Sequence, residues 1–473
     1  MDALAASGIR FEQAYCAAPV CGPSRACVAT GRMPHQNGVL VNGMSIPDEM
    51  PTMGEVFRDA GYQTAWTGRW CVPENGPDIR GFDCLHDTSQ PLGQGVLADS
   101  HVADCAIDFL TKERADPFLL GVSLCNPHDI CYWVMQQSTP QGELDPQTIA
   151  LKEKADSLSF DFTTEGELPP LPDNFAIASD EPEFLVRCRK RRYYGQEGNF
   201  TWDWDEQAWG RYIHAYYRLT EMVDVQVGRV MTALRESGLE EDTLVVLTSD
   251  HGEGMAGHHW VTKLSLYEES SHVPFILSMP GSIPEGTVDR DRLVSGIDIL
   301  PTMCDYASVE CPDVTGMSLR PLVEDSNGIG RAFLVSEIHP DPKDLAMQGR
   351  MVRSDRYKYI SFSESHCPEQ LFDLETDPGE TINLAENPAH RADTPSQGPA
   401  YTVDGQDGGH VPATVMPTSG FITYLTAARN EIVVVTRNIA NLRSLQASRL
   451  DSATGGDAYA WELPDNSLPK SSA

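Results

Sequence analysis

Three short apolar runs, each breaking off into a cluster of polar residues, constrain this chain more than any other feature. Residues 61–67 (GYQTAWT) run into Gly68, Arg69, Trp70 and Cys71, and residues 117–125 (PFLLGVSLC) into Asn126, Pro127, His128 and Asp129. Residues 243–248 (TLVVLT) run into Ser249, Asp250, His251, Gly252 and Glu253. Apolar runs of this length bounded by turn residues read as buried strands. Ahead of the third, Tyr212, Tyr216, Leu219, Val223, Val227, Val230 and Leu234 recur at helical spacing, and Gly238 ends that helix. Strands alternating with amphipathic helices predict an α/β fold with a mostly parallel central sheet. Ligands bind beyond the carboxyl ends of such strands. Three strands delivering polar clusters to one edge therefore predict an active site there.

The segment 21–32 reads CGPSRACVATGR. Pro23 and Ser24 predict a helix start, with Ser24 as a cap, and Gly31 predicts its stop. Cys21 then sits beside a helix N-terminus, where free N–H groups and the helix dipole favour an anion such as sulfate. The alternative is a buried structural thiol. The net charge of −34 over 473 residues argues against nucleic acid as a partner. It also means that an anionic substrate must find its positive charge locally, from a metal, Arg and Lys. The acidity fits either a salt-loving source or simple solubility. No apolar run approaches the roughly 18 residues of a membrane span, and no signal-peptide pattern follows Met1, so no membrane partner is expected and the compartment stays open. The twelve cysteines show no C-x-x-C pair and no zinc-finger spacing, so most read as buried thiols. The basic run at 187–192 (RCRKRR) reads as a solvated loop, with recognition of an acidic glycan as the alternative. Asn199, Phe200 and Thr201 form a glycosylation sequon of little weight without a secretory signal.

Residues Cys21, Pro23, Ser24, Arg25, Thr30, Gly31 and Arg32 fit C-x-P-S-R-x4-T-G-R, which resembles the signature of type I sulfatases. The resemblance extends over roughly residues 2–390, through DALAASGIRF, TSDHGE, YEE with VP, DILPT and LFDLETDPGETINL in family order. It implies the alkaline-phosphatase-like α/β sandwich with a small C-terminal antiparallel sheet. It also implies a formylglycine made from Cys21 by a maturation enzyme, and a divalent metal, calcium or magnesium. Asp250 and His251 match a pair of metal ligands, joined by the group derived from Cys21. Arg25 matches the arginine that holds the aldehyde hydrate, and Lys263 the lysine that contacts sulfate. His128 matches a histidine near the sulfate and leaving group. Of His258 and His259, one is a candidate leaving-group acid and the other is expected to be exposed.

Two departures stand against the family pattern. The block usually written G-K-W-H is Gly68-Arg69-Trp70-Cys71 here, so Arg69 keeps the positive charge for substrate but Cys71 offers no imidazole. The family's strand bearing two metal-binding aspartates falls before the point at which this sequence begins, so half the metal shell is expected to be missing. The expected organisation is a catalytic domain over 1–330, an antiparallel subdomain over 331–390 and a Gly-, Pro- and Ser-rich tail over 391–473. The expected activity is sulfuric ester hydrolysis of a sulfated carbohydrate or similar small molecule. The alternatives are a phosphodiesterase or phosphonate monoester hydrolase, or a catalytically impaired protein that binds sulfated ligands.

Overall fold

The computed structural model describes residues 1–72, 79–86, 95–138, 149, 168–190, 201–325, 328–363, 365 and 368–387, together with six short strands beyond residue 399. Three sheets carry the body of the molecule. The first contains β1 (Ile9–Tyr15), β5 (Val245–Thr248), β6 (Phe275–Ser278) and β7 (Thr287–Ser295) in the order β5-β6-β1-β7. Here β1 runs parallel to β7 and antiparallel to β6, and β6 runs antiparallel to β5. The second is parallel throughout, with β2 (Gln63–Gly68) between β3 (Asp83–His86) and β4 (Phe118–Ser123). The expected parallel sheet is thus mixed in its larger part, because β6 returns directly against β1. Among the described residues β4 and β5 lie at the edges of their sheets, and both are only half-buried although their sequences are almost wholly apolar.

Local chemistry sets the element boundaries. The helix Cys21–Thr30 ends at Gly31, whose φ of 64° lets its N–H turn back to the Cys27 carbonyl at 2.8 Å. Its start differs from expectation: Val20 is the N-cap and Cys21 the first helical residue. Ser24 lies one turn inside, and its hydroxyl donates to the Asp250 carbonyl instead of capping. The helix Glu206–Glu236 begins at Asp205, whose carboxylate accepts the Ala208 N–H at 2.8 Å. Gly68 ends β2 at φ 94°, and a Cβ there would lie 2.1 Å from the Ser123 carbonyl oxygen. The close approach of β2 to β4 at the site edge therefore requires glycine.

The main core lies between the first sheet and its flanking helices, with Phe11, Phe275, Leu277, Val294 and Leu300 nearly inaccessible. A second cluster joins Tyr15 to the antiparallel sheet β11-β10-β9-β8 (β8 Phe333–Ile338, β9 Gly349–Ser354, β10 Tyr357–Phe362, β11 Glu369–Asp373). Buried charge ties the two together. Lys358 on β10, wholly buried, pairs with Glu268 at 3.0 Å and Glu380 at 2.8 Å, and Arg353 on β9 donates to the Tyr15 hydroxyl at 2.9 Å. The basic run departs from the solvated loop expected of it. Arg187, Arg189 and Lys190 belong to the helix Glu183–Lys190, and Arg189 makes a buried pair with Glu181 at 2.7 Å. Arg191, Arg192, Asn199 and Cys367 lie outside the described residues. No disulfide links the described cysteines, and most of them are buried. Beyond residue 399 the backbone forms three two-stranded antiparallel pairs. No described helix is long and apolar enough to cross a membrane.

Candidate active site

The ends of β2, β4 and β5 meet around one guanidinium. Arg25, on the first turns of the helix Cys21–Thr30, donates through Nε to Asp250 Oδ2 at 2.9 Å and through Nη1 to Ser123 Oγ at 2.7 Å. The same nitrogen reaches the Arg69 carbonyl. Arg25 therefore ties the ends of β5, β4 and β2 to the helix that carries Cys21. A carboxylate held by a guanidinium stays ionised. Burial alone would raise the Asp250 carboxyl, but His251 and Arg25 outweigh it and hold it well below the usual range.

Cys21 Sγ lies 3.2 Å from His251 Nε2. The His251 Nδ1 donates to the Gly252 carbonyl at 2.8 Å, which aims Nε2 at Cys21, and Asp250 and Cys21 overcome burial to raise the ring's pKa. Burial would push the Cys21 thiol up, yet Lys263 and His251 bring it down to about 6. Next to it the Gly22 N–H donates to Asn42 Oδ1 at 2.7 Å, which fixes the loop at the helix start. Nothing in the sequence pattern singled out Asn42 or Ser123; a polar residue at a strand end and an Asn-Gly pair in a turn were the only signals.

Lys263 is buried, on a loop where Met255, Ala256, His258, His259, Thr262 and Leu264 all have positive φ. Such a run of left-handed residues costs conformational energy and persists where the surroundings hold it. Glu253 does part of that holding: it accepts the Thr262 N–H, and the Tyr212 hydroxyl at 2.8 Å. His258 and His259 behave otherwise than expected, for neither is exposed. His258 stacks on Tyr267 with centroids 3.8 Å apart, and burial with Arg189 beside it pushes it down to about 4. His259 packs among Phe175, Trp202 and Trp209.

His128 follows β4, where burial, then Lys263 and Arg69, push its ring well below 6.5, so it rests neutral. A bound anion would offset those two cations and restore its basicity. Arg69 is held by sulfur: its Nε is 2.6 Å from Cys71 Sγ and its Nη1 is 3.4 Å from Cys125 Sγ. Cys71, where an imidazole was expected, thus orients the neighbouring guanidinium.

Asp250, His251 and Cys21 place one ligand atom each within 4.8 Å of one another. A carboxylate oxygen and an imidazole nitrogen, joined by an oxygen if Cys21 were oxidised, would suit a hard divalent cation. Around it Lys263, Arg25 and Arg69 supply the positive charge that the acidic surface does not. The arrangement can hold a tetrahedral oxyanion against a nucleophile at the helix start.

Residues 1–309 match the family described as Sulfatase, and residues 256–394 match that described as N-sulphoglucosamine sulphohydrolase, C-terminal. The chain is 31% identical over 411 residues to a delta 4,5-hexuronate-2-O-sulfatase of Bacteroides thetaiotaomicron, covering 82% of this chain and 80% of that protein. Its structure superposes on a 2-O GAG sulfatase with TM-score 0.70 and 30% identity, covering 82% of each chain. A phosphonate monoester hydrolase of Agrobacterium radiobacter shares the fold at TM-score 0.65 and 23% identity, covering 82% of this chain and 86% of that one.

Proposed function

Since the chain belongs to the sulfatase family, an enzyme family that hydrolyses sulfate esters with a divalent metal and a formylglycine, we propose the sulfate ester of a carbohydrate, in particular a 2-O-sulfated uronate, as its substrate. The observation that carries this reading is the placement of Cys21. It is the first residue of a helix, 3.2 Å from His251, with Lys263 and Arg25 supplying positive charge around it. In this reading Cys21 is the precursor of the formylglycine, and the hydrate of that aldehyde is the attacking oxygen.

Asp250 and His251 would hold the metal, calcium or magnesium, whose chemistry is to polarise the sulfuryl oxygens. The chain's own residues do the rest. Lys263 and Arg69 neutralise the sulfate oxygens, and because both are fixed in advance they stabilise the charge that spreads in the transition state. Arg25 keeps Asp250 ionised and fixes the helix start. His128, neutral at rest, takes a proton from solvent as the sulfate offsets Lys263 and Arg69, and delivers it to the departing sugar oxygen.

The test is twofold. The protein is produced together with a formylglycine-generating enzyme, and the peptide spanning Cys21 is examined by mass spectrometry for the aldehyde. Turnover is then compared on a 2-O-sulfated unsaturated hexuronate, a 6-O-sulfated N-acetylglucosamine and a phosphonate monoester. Preference for the first supports the substrate; preference for the second moves the site of sulfation. Preference for the phosphonate overturns sulfuryl transfer, and turnover that survives Cys21→Ala overturns the nucleophile.

A further inference from the structure

The turn that follows β4 carries Cys125, His128 and Asp129, whose sulfur, ring nitrogen and carboxylate oxygen lie within 4.8 Å of one another. Cys125 and Asp129 are buried, and His128 Nδ1 is a buried nitrogen with no hydrogen-bond partner among the described residues. We propose that this turn is a second metal site, separate from Asp250 and His251, which takes a borderline-soft divalent cation of the zinc class.

Three properties of the turn support it. Thiolate, imidazole and carboxylate are the donor set that zinc prefers over calcium or magnesium, and three protein ligands plus one water complete a tetrahedral shell. Ligand atoms around one tetrahedral zinc lie about 3.3–3.8 Å apart, so the group needs to contract by about 1.5 Å at most. The backbone that presents them is already fixed. Asp99 accepts the Cys125 N–H at 2.7 Å and the Asn126 N–H at 2.9 Å, and Asp129 accepts the N–H groups of Gly95 at 3.3 Å and Val96 at 2.8 Å. Each Asp129 oxygen accepts one N–H and keeps a lone pair for the ion. Ligands held on one anchored turn lose little freedom on binding.

Asp99 and Asp129 are two buried carboxyls at this turn. The cations beside the turn are Lys263, which acts on His128, and Arg69, whose Nη1 reaches Cys125 Sγ. Metal binding replaces that contact: the Cys125 S–H bond breaks, the sulfur–metal bond forms and the proton passes to solvent. Occupancy also removes the His128 nitrogen from proton transfer. The metal would therefore inhibit the proposed hydrolysis, and that one consequence rests on the functional reading above.

The site itself is tested without any activity assay. Metal-free full-length protein is titrated with cobalt(II), and the near-ultraviolet thiolate-to-cobalt charge-transfer band is followed, with zinc as competitor. The band is expected in the parent and in Cys21→Ser, and lost in Cys125→Ser, with zinc affinity falling at least tenfold. Cys125→Ala, checked for native circular dichroism, guards against a packing effect of the serine hydroxyl. The proposal is overturned if no thiolate band forms, if the band survives both Cys125 variants, or if Cys21→Ser removes it, since the thiolate would then be the nucleophile precursor.

Discussion

Replacing Lys358 with methionine tests how the antiparallel sheet is attached to the site. The Lys358 ammonium is wholly buried on β10, between the Glu268 carboxylate at 3.0 Å and the Glu380 carboxyl at 2.8 Å. One buried cation balances one anion. Burial and the neighbouring glutamates raise Glu380, whereas Lys358 overcomes burial and lowers Glu268, so the second carboxyl rests neutral. Methionine fills the volume but leaves Glu268, which is half-buried, ionised without its cation. Breaking a buried pair in this way costs about 3–5 kcal/mol. The Tyr15 hydroxyl still donates to Glu268 at 2.9 Å, which places the expected loss toward the lower end, at about 3 kcal/mol. At about 1–2 °C per kcal/mol for a chain of this size, the midpoint should fall by roughly 3–6 °C. The assay is thermal unfolding followed by circular dichroism, on Lys358→Met and on the double variant Lys358→Met/Glu268→Gln. The double variant should recover at least half the loss, because it removes the stranded charge. A single variant within about 1 kcal/mol of the parent, or a double variant no better than the single, would refute this account of the network.

Lys263→Met should lower kcat/KM by about 10²–10³, the loss typical of one fixed charge-stabilising group, with the melting temperature little changed. Gly68→Ala places a Cβ 2.1 Å from the Ser123 carbonyl oxygen at φ 94°, so it should cost more than about 2 kcal/mol by chemical denaturation, whereas Gly61→Ala, which meets no atom within 4 Å, should cost less. Asp99 is raised from 3.8 to about 6, so the folded state holds its proton longer than the unfolded chain. Stability should therefore fall as pH rises from about 4 to 6, by about 3 kcal/mol from this group, and Asp99→Asn should flatten that part of the pH–melting profile. Cys71→His should raise turnover at least tenfold if proton handling limits the enzyme, measured as steady-state kcat; an unchanged rate would show that holding Arg69 is the only role of position 71.

The sequence by itself determined which residues could do chemistry. The strands at 61–67, 117–125 and 243–248 lie within two residues of β2, β4 and β5, because an apolar run bounded by turn residues is a local signal. The motif around Cys21 and the strand-end clusters were legible for the same reason, and the structure brings Cys21, Arg25, Arg69, Asp250 and His251 into contact as a group. Tertiary structure decided the partners. Nothing local to Arg25 says that it spans three strand ends, or that Arg69 rests between two thiols, since those neighbours come from strands up to 225 positions away. It also decided charge. Ser24 satisfies a carbonyl across the site instead of a cap, and the basic residue Arg189 is buried because Glu181 faces it. The antiparallel return of β6 against β1, and the removal of His258 and His259 from solvent, likewise depend on which surfaces meet. Periodicity and propensity act over a few residues, whereas burial, pairing and the resulting protonation states are set by contacts between distant ones.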